Sequence, residues 1–547
     1  MPDGLNRRES HRKEIDLAII PCEKPKHFRL SLNLAISFNN VPKRCLDHLN
    51  AEVIQPDAGR VYIVVMLDGL RNVGWLLCLY DRNKSTMLIT GLDSKQVDRM
   101  PLDVAVVGSG IAGMACAWLL SEHHRVTVYE SAEHVGGHAN TVEVATRSGS
   151  QPIDIGFIVY NEATYPNLTA MFQYLGVPTQ DSDMSFAVSL DDGRLEYAAT
   201  DLNGLFAQKR NLLRPRFWGM LRDLWRFYRE APGDLPRLEH ELISLDAYLR
   251  DGNYGAAFRD DHLLPMAASI WSCAPADAGL QPAAAFIRFC DNHGLLKISG
   301  RPTWRTVDGG SRRYVQRLTE TFADRIHTNR PVHFVERAES GVRVHSTAGV
   351  HAYDHAVLAC HADQALRLLG HGATTKEKTV IGAFRYTRNM AVLHSDDTLM
   401  PKRRDVWASW NYTGRSGVTY SPMRPCVTYW MNRLQRLEGN TQYFLTLNPP
   451  RPPRPGTLLH SEIYEHPVFD NGAIDSQRRL WPLQGNGGVW FCGAHFGAGF
   501  HEDGLQAGLA VAEQLGGVRR PWAIANESAR IHLAALDRRS AGLTTSA

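Results

Sequence analysis

The stretch DVAVVGSGIAGMACAWLLSEHHRVTVYE, residues 103–130, decides the fold of this chain. It opens with a five-residue apolar run that is typical of a buried parallel strand, and it continues through a glycine-rich turn, Gly108-Ser109-Gly110-Ile111-Ala112-Gly113. MACAWLLSE then has helical spacing, and VTVYE predicts a second strand that ends in Glu130. Strand, glycine turn, helix, strand and acid in this order predict a Rossmann-like nucleotide-binding unit in an α/β domain.

Each residue of the turn has a physical task in such a unit. Gly108 permits the tight turn, Gly110 lets a pyrophosphate approach the backbone, and Gly113 lets the helix pack on the strand. The amino end of the helix then faces the phosphates. Glu130 lies twenty residues beyond Gly110, where a carboxylate accepts hydrogen bonds from the adenosine ribose.

The residues that follow distinguish FAD from NAD. The pair Gly136-Gly137, with His138 and Thr141, comes directly after the acid, and Gly156 with Phe157 follows soon after. An NAD domain needs neither feature, whereas a second glycine pair suits a larger cofactor that runs on past the pyrophosphate. We therefore expect FAD.

The pattern GxGxxG…E…GGxxxT…DxG resembles the opening of the flavin-dependent amine oxidase superfamily, and VWFCGAHFGAGFHEDGLQAG (489–508) resembles its closing FAD motif. Within it the chain is similar to a branch of predicted NAD/FAD-binding oxidoreductases, related to a flavin domain fused to plant cyclopropane fatty acid synthases. Segments such as DIGFIVYNEATYPN, GRPTWRTVDGGSRRYV and GFHEDGL carry this resemblance, which covers about residues 103–515. The resemblance implies further FAD contacts at Val332, Gly493, Ala494, His501, Glu502 and Leu505.

Two departures from the wider superfamily weaken any transfer of amine oxidase chemistry. His138 stands where amine oxidases usually carry an arginine, and Ala494 stands where many of them carry an acid. Both leave FAD binding as the expectation.

The resemblance implies a discontinuous, glutathione-reductase-type FAD domain with an inserted α+β substrate domain. We expect the FAD domain to comprise 100–164, 301–374 and 481–520, and the substrate domain 165–300 and 375–480, before a C-terminal tail at 521–547. Residues 1–99 hold one predicted strand, GRVYIVVML, and no motif. An added domain and an over-extended start both fit this segment, and Met100, at the family's usual beginning, favours the over-extended start.

Two segments of the substrate domain have alternative interpretations. In 211–228, Trp218, Leu221, Trp225 and Tyr228 share a helical face beside several arginines, which fits either an interfacial helix on anionic lipid or a helix packed on its own domain. The aromatic residues of the second insertion either line an apolar channel or fill a β-sheet core. These are Trp407, Trp410, Tyr412, Tyr429 and Trp430.

Composition and cysteine spacing argue against several classes of protein. A net charge of +3, with no basic patch interleaved with aromatics, argues against nucleic-acid binding. The nine cysteines form no CxxC pair, and no metal-ligand spacing stands out, so we expect reduced thiols and no metal. Reduced thiols indicate a cytoplasmic protein. Whether it contacts the inner membrane face peripherally through 211–228 is left open by the sequence.

The leading hypothesis is an FAD-dependent oxidoreductase that dehydrogenates or isomerises an apolar substrate, a fatty acyl chain in lipid modification. A flavin-containing amine oxidase is the second, and a non-catalytic FAD-binding partner of a lipid methyltransferase is the third. His501 is the catalytic candidate, because a histidine titrates in the working range, with helix capping as its alternative. For Glu502, at the same helix start, capping is favoured, and Asp503 is a further capping candidate.

Overall fold

The computed structural model describes residues 49–54, 60–67, 75–81, 86–92, 101–147, 149–241, 243–297, 299–416 and 426–533. The chain divides into two units, Met1–Pro101 and Leu102–Ala547. In the first unit, strands β1 (Leu49–Ile54), β2 (Arg60–Leu67), β3 (Trp75–Asp81) and β4 (Thr86–Leu92) pair antiparallel in chain order. β2 is the strand predicted from GRVYIVVML, whereas its three neighbours were not predicted. Met100 lies outside the described residues, so the predicted start there stays a prediction.

The described strands of the second unit are, in chain order, β5 (Asp103–Val107), β6 (Arg125–Tyr129), β7 (Thr141–Thr146), β8 (Gly149–Asp154), β9 (Tyr160–Asn161), β10 (Thr179–Ser182), β11 (Phe186–Leu190), β12 (Leu195–Ala198), β13 (Trp304–Val307), β14 (Ile326–His327), β15 (Val332–Arg337), β16 (Val342–Ser346), β17 (Gly349–Tyr353), β18 (His355–Leu358), β19 (Arg385–His394), β20 (Trp410–Gly414), β21 (Cys426–Trp430), β22 (Phe444–Leu447), β23 (Leu458–Val468) and β24 (Val489–Phe491).

Its described α-helices are α1 (Ile111–Ser121), α2 (Pro166–Tyr174), α3 (Leu202–Leu205), α4 (Pro215–Leu238), α5 (Leu245–Asp251), α6 (Ala256–Phe258), α7 (Leu264–Trp271), α8 (Pro275–Leu280), α9 (Ala283–Asn292), α10 (Arg312–Thr319), α11 (Ala362–Leu369), α12 (Thr375–Ile381), α13 (Met431–Leu434), α14 (Asn471–Leu480) and α15 (His501–Gly516). Across the described part of the chain, no helix combines the length and the apolar character that a bilayer crossing requires.

A five-stranded parallel sheet forms the nucleotide-binding layer, in the order β14-β6-β5-β18-β24. Its central strand β5 is the predicted DVAVV run, whose last four residues are buried, as expected for a strand covered on both faces. Strand β18, from the predicted FAD segment 301–374, pairs with β5. The sheet therefore draws its strands from residues 103 to 491.

Helix α1 is buried along its whole length from Ile111 to Leu120, because the sheet and helix α15 both cover it. The two helices approach closely at Gly508, where a Cβ would stand 2.1 Å from the carbonyl oxygen of Ala112. Small residues at such a crossing let the two backbones come together. The helix that begins at the glycine turn is therefore held from both sides.

A second sheet of seven strands has the order β12-β11-β20-β21-β22-β19-β23. All its pairs are antiparallel except β11 with β20. The aromatic runs of the second predicted insertion form β20, β21 and β22, as the sequence indicated, and β11 and β12 come from the first. Both predicted insertions thus contribute to one sheet, while the domain boundaries themselves stay predictions.

Helix α4 begins at Pro215, which occupies the first helical turn, where a proline costs no hydrogen bond. It buries Phe217, Met220 and Phe227 against the rest of its unit and leaves Trp218 and Trp225 about half exposed. The predicted packing on its own domain is therefore present, and an exposed aromatic face remains.

Candidate functional site

A cavity of about 680 Å³ lies where the strands of the parallel sheet end. Gly108, Glu130, Ala359 and Gly493, which follow β5, β6, β18 and β24 within two residues, all line it. Ligands of open α/β sheets bind at this carboxyl edge. The wall also includes residues of helices α7 and α9 and of the seven-stranded sheet, so the cavity lies between the parallel sheet, these helices and the second sheet.

The glycine turn has the geometry that a diphosphate requires. Gly108 has a φ of +105°, and a Cβ there would lie 2.8 Å from the carbonyl oxygen of Ala359. At Gly113 a Cβ would stand 2.0 Å from the carbonyl oxygen of Gly108, so only glycine allows helix and turn to meet. A Cβ on Gly110, in contrast, would have no atom within 4 Å, and Gly110 caps α1 without a side-chain bond. Open space at an uncapped helix amino end is the cradle that the FAD diphosphate needs.

Glu130 is held at the cavity wall by groups of the turn. One carboxylate oxygen accepts bonds from the amide of Ser109 at 2.9 Å and from its hydroxyl at 2.6 Å, and the other accepts one from the amide of Ala132 at 2.8 Å. Glu130 Oε2 thus already uses both of its lone pairs, so a ribose hydroxyl would reach the carboxylate by replacing one of these donors, such as the Ser109 hydroxyl. The amide of Arg330 donates to the Glu130 carbonyl, which places Val332, also on the wall, two residues from that contact.

Most of the predicted FAD contacts come together on this wall. Those that line the cavity are Gly108, Ser109, Gly110, Ile111, Ala112, Glu130, Gly137, His138, Gly156, Phe157, Val332, Gly493, Ala494 and His501.

Gly113, Gly136, Thr141, Glu502 and Leu505 do not line the cavity. Gly113 and Gly136 shape turns, since a Cβ on Gly136 would lie 2.5 Å from the Ala139 carbonyl oxygen. The Thr141 hydroxyl donates to Asp154 Oδ1 at 2.6 Å, and Leu505 is fully buried in the core. These residues do not face the cavity, but they fix the turns and the packing of the segments that form its wall.

Glu502 caps a helix other than its own. Its carboxylate is fully buried and accepts bonds from the amides of Asn167 and Leu168, at the start of α2, and from the side chains of Asn167 and Gln506. Asp503 caps α15 itself, since the amide of Phe500 donates to its carboxylate at 2.8 Å. The capping interpretation therefore holds for Asp503, whereas Glu502 caps α2 in place of its own helix and ties α15 to α2.

His501 lies on the wall at the start of α15, stacked on Phe157 with ring centroids 3.8 Å apart. Its Nε2 is 2.7 Å from the hydroxyl of Tyr314. Burial lowers the pKa of His501 to about 3, so the imidazole is neutral near pH 7. The expectation that it titrates in the working range therefore fails, and its partner Tyr314 had no sequence signal.

Further histidines converge on the same wall from distant segments. The His138 ring lies 4.8 Å from that of Tyr464 and meets that of His466 edge to face at 5.5 Å, and His361 and His495 also line the cavity. Burial, with the nearby His466, His361 and His501, holds the pKa of His138 well below its usual value, and burial lowers the pKa of His466 to about 4. Sequence analysis identified neither His466 nor His361 as a site residue, because only long-range packing brings them together.

The other half of the cavity is apolar and aromatic. Its lining includes Met184, Phe186, Met266, Ile270, Trp271, Phe289, Leu295, Trp304, Leu445 and Leu447. Of the five aromatic residues that the sequence left undecided, Trp410 and Tyr429 line the cavity, whereas Trp407, Tyr412 and Trp430 do not line it and are packed in hydrophobic clusters. Both interpretations thus apply, to different members of the set.

Residues 111–394 match the family model of flavin-containing amine oxidoreductases. The matched segment is more than half of the 547-residue chain. The chain belongs to this family. FAD is its cofactor, and it is an FAD-dependent oxidoreductase. The sequence has no significant match among curated proteins.

Solved structures show the same fold at low sequence identity. A wild-type putrescine oxidase bound to putrescine has a TM-score of 0.53 at 14% identity, over 76% of this chain and 99% of that chain. The cyclohexylamine oxidase of Brevibacterium oxydans has a TM-score of 0.53 at 16% identity, with coverages of 76% and 100%. A CLA-producing fatty acid isomerase from P. acnes has a TM-score of 0.52 at 15% identity, with coverages of 76% and 97%. These likenesses confirm the amine-oxidase-like fold.

Proposed function

We propose that this FAD-dependent oxidoreductase dehydrogenates or isomerises an apolar substrate that carries a long acyl chain. The observation that supports this most is the chemistry of the cavity wall beyond the glycine turn. Aromatic and aliphatic side chains from α7, α9, β20, β21 and β22 line it, which suits a hydrocarbon chain.

The charged groups on the wall favour an acyl substrate over an ammonium ion. Its two carboxylates, Glu130 and Glu465, already have partners, since Glu465 lies 3.5 Å from His361 Nδ1 and 3.8 Å from Arg388 Nε. Arg301 also lines the cavity, and it forms no ion pair with any carboxylate in the described residues. An ammonium group would meet no free carboxylate here, whereas an acid head group would find a guanidinium.

Bound FAD supplies the two-electron acceptor for such chemistry. The chain's own residues hold the acyl chain, exclude water and keep the surroundings uncharged. Tyr314 is fully buried, and burial raises its pKa well above the usual value, so its hydroxyl keeps its proton. With the neutral His501, it shares one hydrogen bond between Tyr314 Oη and His501 Nε2 beside the cavity. This pair offers hydrogen bonding without placing a charge next to hydrocarbon.

Amine oxidation is the second candidate, and the family match favours it. Trp410 and Tyr429 meet edge to face with centroids 4.8 Å apart on the wall, and an aromatic pair also attracts an alkylammonium. The two candidates differ in which compound reduces the flavin. A non-catalytic role beside a lipid methyltransferase predicts reduction by neither.

The test is an anaerobic visible spectrum of the FAD-loaded full chain before and after addition of an unsaturated fatty acid, an unsaturated phospholipid or a polyamine. Gas chromatography of the recovered acyl chains as methyl esters, which separates double-bond isomers of equal mass, detects isomerisation, which leaves the flavin oxidised. Bleaching or acyl-chain conversion by lipid supports the proposal, and bleaching by the polyamine alone replaces it with amine oxidation. A yellow protein that changes neither compound refutes both and supports the accessory role.

A matched pair of variants ties the activity to this cavity. Trp410→Phe alters the wall, whereas Trp430→Phe makes the same change on the adjoining strand, off the cavity. We expect KM for the active acyl substrate to rise several-fold for Trp410→Phe and to stay unchanged for Trp430→Phe. Equal effects of the two changes would place the acyl chain elsewhere.

A further inference from the structure

An exposed apolar surface, which we call the tryptophan face, lies around the start of α4. Its members, with their exposed fractions, are Leu202 at 74%, Leu212 at 48%, Leu213 at 87%, Trp218 at 49% and Trp225 at 52%. Isolated exposed apolar residues are ordinary on soluble domains, but five large ones from one short segment of chain are not.

Local contacts hold this face in one shape. The indole Nε1 of Trp218 donates to the carbonyl of Leu212 at 2.9 Å, and its ring lies 5.6 Å from that of Phe206. Trp225 follows Trp218 by seven residues, two turns of the helix, so both rings project from the same side of α4. Helix α4 thus buries one apolar face through Phe217, Met220 and Phe227 and exposes a second apolar surface through Trp218 and Trp225.

Arginine side chains that form no ion pair with a carboxylate of the described residues border the tryptophan face. The Arg210 guanidinium donates to the carbonyl of Gly193 at 3.2 Å, and that of Arg214 donates to the carbonyl of Arg194 at 3.0 Å. None of Arg194, Arg210 and Arg214 forms an ion pair with a carboxylate of the described residues. Neutral acceptors therefore hold the Arg210 and Arg214 guanidinium groups at the rim of an apolar surface, and burial with the nearby charges of Arg210 and Arg194 lowers the pKa of Arg214.

A second pair of arginines flanks Trp225. Arg222 is 75% exposed and pairs with the buried Asp223, while Arg229 lies over the Trp225 ring at 4.5 Å. Both guanidinium groups keep outward surface. The nearby acids already have partners: Asp201 caps α3 through the amide of Gly204, Asp191 accepts from the amide of Ser416, Asp192 pairs with Lys402, and Glu230 lies 3.3 Å from Arg229.

We propose that the tryptophan face docks on the surface of an anionic phospholipid bilayer. Half-exposed indoles and leucines insert at the level of the head groups, and arginines at their border meet the phosphates of acidic lipids. The charge complementarity favours a bilayer over a second copy of the chain, which would oppose cation to cation. Helix α4 also lines the cavity through Tyr228, so docking brings the substrate cavity close to the lipid. The docking itself does not depend on the proposed acyl substrate.

The experiment is flotation of the full-length, FAD-loaded protein with vesicles of phosphatidylcholine alone or mixed with phosphatidylglycerol. We expect binding to the mixed vesicles that weakens at high salt. The double substitution Arg210→Ala/Arg214→Ala should reduce the partition coefficient by about 25-fold, taking about fivefold for each lost cation near the surface. Lys376→Ala/Lys378→Ala removes two exposed charges from α12 and should leave binding unchanged.

Quenching by brominated acyl chains tests the insertion of the indoles. Trp218→Phe/Trp225→Phe should lose the quenching that appears with phosphatidylglycerol vesicles, whereas uptake of lipid into the cavity would leave it intact. Should Arg210→Ala/Arg214→Ala fail to hold FAD, Leu213→Gln serves in its place, because Leu213 is almost fully exposed. Equal flotation with neutral vesicles, or equal losses in the α12 control, overturns the proposal. A dimer in solution that Leu213→Gln dissociates, with no vesicle binding, assigns the face to self-association instead.

Discussion

Gly110→Ala separates cofactor binding from folding more cleanly than any other single change at the turn. Gly110 has φ −65° and ψ 174°, an extended conformation that alanine adopts without strain, and its added methyl would meet no atom within 4 Å. Alanine is a poorer helix cap by up to about 1 kcal/mol, and it restricts the unfolded chain by a similar amount. The stability of the protein without FAD should therefore change by less than about 1 kcal/mol.

The affinity for FAD should change far more. The methyl would occupy the open space at the uncapped start of α1, where backbone N–H groups are free to meet a diphosphate. Displacing the diphosphate costs about two hydrogen bonds to a charged group, at about 1.5–3 kcal/mol each. The expected loss of about 3–6 kcal/mol corresponds to a Kd raised by about 10²- to 10⁴-fold.

Titration of the protein without cofactor by FAD, followed by flavin fluorescence, measures this change. Gly219→Ala is the matched control, since its methyl on α4 also meets nothing within 4 Å and Gly219 does not line the cavity. Thermal unfolding of both variants checks that folding is intact. Wild-type FAD affinity in Gly110→Ala would refute the assignment of this turn to the diphosphate.

The other predictions concern the residues around the turn. Gly113→Ala forces a methyl to 2.0 Å from the Gly108 carbonyl oxygen and should lower the free energy of unfolding by about 1–3 kcal/mol even without FAD, as chemical denaturation would show. Glu130→Gln should weaken FAD binding about 10-fold or more in the same titration, because it replaces a carboxylate acceptor beside the ribose position; unchanged affinity would move the ribose elsewhere. Glu502→Ala leaves two buried amides at the start of α2 without an acceptor and should cost about 2–4 kcal/mol of stability, while Glu502→Gln, which keeps one acceptor oxygen in the same place, should cost less; equal losses for the two variants contradict the capping role. Burial raises the pKa of Asp154 to about 6 from 3.8. The stability that its protonated carboxyl contributes is therefore complete below pH 3.8 and is lost as the pH rises through 6. Asp154→Asn should remove about 3 kcal/mol of this pH dependence from the stability curve, and a curve of unchanged slope contradicts the prediction.

Local pattern was sufficient for the unit from β5 to β6. Its apolar run, its glycines and its helical spacing lie within 28 residues, and the structure follows them almost residue for residue. The same sheet also contains β14, only two residues long, which no periodicity reveals. Strand β15, which contains Val332, pairs in a separate three-stranded sheet, although the resemblance assigns Val332 to the FAD site.

The cavity wall was harder to predict because it forms only in three dimensions. Tyr314, His361 and His466 lie far apart in sequence, and each stands in a segment with another evident purpose, a helix, a helix cap or a strand. Glu502 also shows that local sequence does not reveal tertiary contacts. Its place at a helix start predicted a capping role, but only tertiary packing reveals that it caps α2.

The strand order of the parallel sheet has a consequence for biosynthesis. Its middle strand is made at residues 103–107, yet its edge strand β24 ends at residue 491, and α15, which covers α1, follows still later. A nascent chain therefore emerges with an apolar sheet that lacks one edge and with a helix uncovered on one side, for most of the time that the ribosome needs to finish it. Closing contacts so distant in sequence is slow, which exposes the growing chain to aggregation. Early stop codons anywhere before β24 should consequently yield material that cells degrade, and protection of the unfinished sheet by chaperones should limit the yield of the protein.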